Sequence, residues 1–147
     1  MSLKQILSIS TILTISFLSN FAVAQNHTID MLNKLGKERM VYSKKVISIN
    51  LNDEISWKSV DKGHNVEMLA GPEGYELPKK SKLSKPVSIT FDKPGIYLYQ
   101  CSPHAAFGMI GIIVVGGDTS NLEAISESKT LTGKKAKKKR KNLLKEL

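Results

Sequence analysis

Cysteine is almost missing from this chain: its 147 residues contain one, Cys101. A single cysteine excludes an internal disulfide, so cross-links do not hold the fold together. Histidine is nearly as scarce, with three residues, His27, His64 and His104. A cluster of several metal ions would need more His or Cys than this. No apolar run is long enough to cross a membrane comfortably; the longest, Ile6 to Leu18, is short and broken by Ser and Thr. No internal repeat is present, which removes the solenoids. Acidic residues are outnumbered, 13 Asp and Glu against 22 Lys and Arg, for a formal charge of +9.

What is present first is a leader. Lys4 gives a positive start, the apolar run follows, and Ala22-Val23-Ala24 supplies a small-x-small cleavage signal before Gln25. Residues 1–24 are therefore expected to be a secretory signal peptide that is removed, with no membrane anchor. Residues 25–147 are a size that suits one domain. Losing Lys4, the leader's one charged side chain, leaves +8. Export to an oxidising compartment sharpens the question of the lone cysteine. Cys101 is buried and inert, a liability, or a ligand.

Most of residues 27–115 reads as short strands. Ile47, Ile49 and Leu51 alternate with polar neighbours; so do Ile55 and Trp57, and Val87, Ile89 and Phe91. Ile110, Ile112 and Val114 share a face opposite Ile113 and Val115. Turn chemistry lies at 50–54 and in Asp92-Lys93-Pro94-Gly95. The stretch 71–86 reads as a surface loop in which only Tyr75 and Leu77 have core character. This pattern predicts an all-β sandwich or barrel. After Gly117 the period changes. Ser120-x-x-Glu123 is a capping-box candidate for a short helix with Leu122 and Ile125 inward. A second helix is expected from about Lys134 to the end, with Ala136, Leu143, Leu144 and Leu147 on one stripe. The helical extension thus spans about 119–147. Its run Lys134 to Lys141 holds seven cations in eight residues and reads as a solvated helix face. Export argues against nucleic acid as its partner.

The chemistry is concentrated in Cys101-Ser102-Pro103-His104-Ala105-Ala106-Phe107-Gly108-Met109, a C-x2-H-x4-M loop between two strand-like stretches. His64 lies upstream in Lys62-Gly63-His64-Asn65. One thiolate, two imidazoles and a thioether are the donors of a blue copper site, a His2Cys set with a weak axial Met. Soft sulfur donors suit Cu(I), and imidazoles suit both oxidation states. The expected metal ligands are His64, Cys101, His104 and Met109, holding one copper ion per chain as Cu(I) or Cu(II). His27, beside the cleavage point, reads as a surface residue.

The two ligand segments resemble those of the pseudoazurins, blue copper proteins of the cupredoxin family. The likeness continues in Met31-Leu32-Asn33-Lys34 and in the tail after Gly116-Gly117-Asp118. The resemblance implies a Greek-key sandwich with two C-terminal helices and a soluble, monomeric periplasmic electron carrier. It implies that Asn65 ties the two ligand loops together behind the metal, its backbone N–H facing the thiolate and raising the reduction potential. It also implies that His104 is the electron exit, ringed by Pro103, Ala105, Ala106, Phe107 and Met40. Around that patch it places a rim of Lys34, Lys62, Lys79, Lys80 and Lys82. The implied partners are transient redox proteins with an acidic docking face, nitrite reductase of denitrification or cytochromes. Where such proteins often carry Lys before the ligand cysteine, this chain has Gln100.

Two other function classes fit part of the pattern. A copper chaperone or scavenger would use Cys101 and Met109, but such proteins expose their ligands, and ligands drawn from two distant loops of a rigid sandwich argue against it. An enzyme on a His2Cys zinc site needs an open coordination position, which Met109 would fill, and a general base, of which no sign is present.

Overall fold

The computed structural model describes residues 23–147, so nearly all of the expected leader lies outside the described residues. Eight strands are present: β1 Asn26–Leu35, β2 Glu38–Tyr42, β3 Val46–Ile49, β4 Glu54–Lys58, β5 Glu67–Ala70, β6 Val87–Thr90, β7 Gly95–Gln100 and β8 Ile110–Val115. They form two four-stranded sheets, ordered β2-β1-β4-β6 and β3-β8-β7-β5. Pairs β1/β4 and β3/β8 are parallel, and the other neighbours run antiparallel. Two helices, α1 Leu122–Glu127 and α2 Lys134–Leu143, follow the last strand. This is the all-β sandwich with C-terminal helices that the sequence pattern implies.

The core has two layers. Between the sheets lie Ile29, Met31, Ile55, Trp57, Phe91, Tyr97, Tyr99 and Val115, together with Cys101 and Met109. Behind the second sheet, Ile96, Leu98, Ile110, Ile112 and Val114 meet Ile125, Leu131, Ala136 and Leu143 from the helical tail. Strands β7 and β8 are thus buried at every position. In β7 this erases the polar–apolar alternation that marks a half-exposed strand.

Several local expectations are corrected. The capping box does not form: the cap residue of α1 is Asn121, and the Ser120 N–H donates to Asp118 Oδ1 instead. Asn121 has other work, because its side chain exchanges two hydrogen bonds with the Ile96 backbone, past the end of the β5 ladder at Leu98. Leu122 is exposed, and Ile125 alone is the buried anchor of α1. The α2 stripe runs through Ala136 and Leu143, while Leu147 lies exposed beyond it. Leu51 sits in the turn after β3 and is exposed as well. Ala105 is buried. His27 is half-buried, its Nε2 2.9 Å from Asp53 Oδ2. Asp53, wholly buried, also accepts the N–H groups of Gln25 (2.7 Å) and Asn50 (2.9 Å). Burial pushes its carboxyl up, but these bonds outweigh it and hold the group below its usual range.

One close approach sets the core behind the ligand loop. Tyr99 lies opposite Gly111 in the β7/β8 ladder, and its ring covers the glycine so closely that a Cβ would fall 2.3 Å from the phenol oxygen. The ring is locked by Tyr42 and Trp57, at centroid distances of 4.8 and 5.3 Å. Gly111→Ala is expected to lower stability by about 1–3 kcal/mol through overpacking. Urea unfolding should show a lower midpoint, and an unchanged midpoint would mean the ring can yield.

Candidate metal centre

The C-x2-H-x4-M loop leaves β7 at Cys101, makes a 3-10 turn over Ser102–Phe107, and returns into β8. Pro103 starts the turn, where its fixed φ and missing N–H cost nothing. Gly108 ends it with φ of 87°, a left-handed conformation that glycine adopts freely. Backbone bonds then close the loop: Cys101 N–H to Met109 O (2.9 Å), His104 N–H to Cys101 O (3.0 Å) and Met109 N–H to His104 O (3.2 Å). Three of the four expected ligand residues are therefore fixed by one ring of hydrogen bonds.

His64 arrives from the other side, on the segment before β5. Its carbonyl accepts the Ser84 N–H, and Ser84 Oγ accepts the Gly63 N–H. Ser81 brackets Val66 in the same way. The surface loop 71–86 thus pins the His64 segment, a task that its composition does not announce.

Asn65 joins the two ligand loops. Its Oδ1 accepts the Ser102 N–H at 2.8 Å, and its Nδ2 donates to Ser102 Oγ and Ser81 O, both at 3.3 Å. Its own carbonyl accepts the Tyr42 hydroxyl. Gln100 is buried and donates to Glu67 Oε2, which also accepts the Ser102 hydroxyl.

The donor atoms converge. Cys101 Sγ lies 3.7 Å from His64 Nδ1 and 3.4 Å from His104 Nδ1, and the three ligand atoms lie within 4.8 Å of one another. Among the described residues, no other cluster of His, Cys, Asp and Glu is gathered in this way. Separations of this size suit one ion bonded at about 2.0–2.3 Å to each atom. Met109 is wholly buried in the same core layer as Cys101. His64 Nε2 meets Asn33 Oδ1 at 2.9 Å. A carbonyl oxygen only accepts, so Nε2 carries the proton and Nδ1 keeps its lone pair facing the thiol. Pattern reading did not single out Asn33 as a partner of His64; the contact spans 31 positions.

Electrostatics favour the ligating forms of both imidazoles. Burial lowers the pKa of His64, with His104 nearby adding to it, and burial lowers that of His104. Both are neutral at pH 7. The Cys101 thiol is raised by burial, partly offset by the backbone N–H groups of Asn65 and His104. A bound cation would deprotonate it.

At the surface, His104 is half-buried, Pro103 and Ala106 are exposed, and Phe107 is 58% exposed. Lys34, Lys62, Lys79, Lys80 and Lys82, the residues expected as the rim, are all exposed. A cleft that the sequence did not suggest joins Phe107 to Lys37, Arg39, Lys135 and Lys138.

The family model for copper binding proteins of the plastocyanin/azurin family matches residues 29–116. The chain belongs to this family. It is 37% identical to a putative pseudoazurin of Rhizobium leguminosarum over 110 residues, 73% of this chain and 71% of that protein. It is 36% identical to a pseudoazurin of Paracoccus pantotrophus, over 72% of this chain and 74% of that one. A solved pseudoazurin from Sinorhizobium superimposes with a TM-score of 0.76 at 37% identity, covering 83% of this chain and 95% of its own. Copper is the cofactor of this family, and the His64, Cys101 and His104 group with Met109 nearby has the donor set of a type 1 site.

Asn33→Ala would free the His64 ring while leaving every donor atom in place. Loss of such a supporting bond is expected to weaken copper binding by about 10–100-fold. Competition against a chelator of known affinity measures this, and an unchanged affinity would show that packing alone orients the ring.

Proposed function

We propose that this chain is a type 1 blue copper electron carrier of the periplasm, with His64, Cys101, His104 and Met109 as its copper ligands. The observation that carries the reading is the convergence of Cys101 Sγ with one Nδ1 from each of two loops. Copper held there would supply one-electron chemistry by cycling between Cu(I) and Cu(II). Cys101 is the thiolate ligand, His64 and His104 the neutral imidazoles, and Met109 the thioether. Asn65 and Asn33 keep the loops and the His64 ring in place, so that a change of charge moves little.

The ligands support a carrier over a chaperone. Cys101, His64 and Met109 are buried, which suits retention of a metal rather than its handover. The half-buried His104 is the path for the electron, and the exposed Phe107, Ala106 and Pro103 make the surface around it. An apolar patch beside cations fits brief encounters with an acidic redox partner. The partners proposed are nitrite reductase of denitrification and cytochromes, met by a monomer. Removal of residues 1–24 as a signal peptide would deliver the chain to them.

Two experiments test this. Added Cu(II) should turn the protein intensely blue, ascorbate should bleach it, and reoxidation should restore the colour. A colourless protein that still holds copper would overturn the assignment of Cys101 and Met109. Ala106→Lys should keep the spectrum and slow electron transfer to a nitrite reductase or c-type cytochrome by about tenfold, roughly 1.4 kcal/mol. An unchanged rate would place the docking face elsewhere.

A further inference from the structure

Among the described residues, Asp53 is the only acidic side chain that is wholly buried. Buried carboxylates are ordinarily paired with a cation, because removing the charge from water is costly. The partners of Asp53 are the Gln25 N–H on Oδ1 and the His27 Nε2 and Asn50 N–H on Oδ2. None is a permanent cation. The closest donor, at 2.7 Å, is the nitrogen of the residue that follows Ala22-Val23-Ala24. Gln25 is fixed on its other side too, since its carbonyl accepts the Glu54 N–H at 2.9 Å. Ahead of it the chain leads straight into water, with Val23 80% exposed.

We propose that Asp53 is the receptor for the α-ammonium group that cleavage after Ala24 creates on Gln25. Cutting the Ala24–Gln25 bond would turn a neutral amide donor, already in position, into the missing cation. Maturation would then fasten the start of β1 to the β3–β4 turn, where Asp53 also holds His27 and Asn50. The inference rests on the proposed cleavage and is independent of the copper reading.

A chemical consequence follows. An N-terminal glutamine cyclises when its free amine attacks its own side-chain Cδ. A C–N bond forms, the bond to the side-chain nitrogen breaks, ammonia leaves, and a neutral five-membered lactam remains. An amine held protonated on a carboxylate has no lone pair for the attack. The folded, processed chain should keep its free amine.

The test uses copper-loaded protein exported with its own leader. Intact mass should give a chain beginning at Gln25 that loses ammonia many-fold more slowly when folded than in urea. Equal rates, or a different first residue, would overturn the proposal. Thermal unfolding supplies a second arm. It compares the processed chain with one that carries an extra alanine ahead of Gln25, each with Asp53 intact and with Asp53→Asn. With Asp53 intact, the processed chain should melt higher by about 4 °C. With Asp53→Asn in both chains, that advantage should vanish. No advantage with Asp53 intact, or an equal one after Asp53→Asn, would overturn the proposal even with the blue colour unchanged.

Discussion

The tie between Asn65 and Ser102 is the interaction on which the centre depends. The ligands come from two segments 37 positions apart, and nothing in either segment alone makes them face each other. One side chain bridges them with an accepted bond at 2.8 Å and a donated bond at 3.3 Å. Because Ser102 follows Cys101 and Asn65 follows His64, the bridge stands one residue behind each of the two donor atoms. It also gives partners to polar groups that would otherwise be buried without them. A ligand set arranged before the metal arrives loses little freedom on binding it.

That bridge needs a rigid floor, which β7 and β8 supply by being buried on both faces. One face contributes Tyr97, Tyr99 and Ile113 to the layer between the sheets, and the other contributes Ile96, Leu98 and Ile112 to the layer beneath the helices. The helical tail is therefore part of the support for the ligand loop. Its lysine run does not make α2 stable by itself. Lys134 and Lys138, Lys135 and Lys139, and Lys137 and Lys141 are like-charged neighbours one turn apart, each pair costing about 0.2–0.5 kcal/mol. Two lysines also open the helix at its positive end, without a side-chain cap. Docking of Ala136 and Leu143, with Arg140 Nη1 donating to Ser128 O at 2.5 Å, outweighs these terms.

The parts of this structure that are legible in the sequence are those whose cause is local. The C-x2-H-x4-M loop is readable because Cys101, His104 and Met109 lie within nine residues and their donor types restrict the metal. The strand faces of β3, β4 and β6 are legible through the alternation of apolar and polar positions. Strand β7 is not, because a strand covered on both sides has no polar face to alternate. Ser120 and Glu123 carry the local signature of a cap, but Asn121 is recruited by the Ile96 backbone, a contact 25 positions away. Asn33, Ser81 and Ser84 act on the His64 segment in the same long-range manner, and a single sequence gives no sign of them.

The charge distribution follows from this packing. Glu67 needs donors for its carboxylate beside the ligand loop, and Gln100 and Ser102 provide them. The Gln100 bond, the largest influence, lowers the Glu67 carboxyl; burial opposes it and Ser102 assists. A neutral residue at position 100 thus faces inward, and no cation stands before the ligand cysteine. Cations stand instead across the Phe107 edge. There Glu38 is engaged by Lys45 at 2.6 Å and Lys139 at 3.1 Å, which leaves Lys37, Arg39, Lys135 and Lys138 lining the cleft without a recorded ion pair among the described residues. The β1–β2 hairpin and α2 therefore add positive charge beside Phe107, so the helix that packs against the ligand loop also contributes to the charge of the surface around the proposed exit.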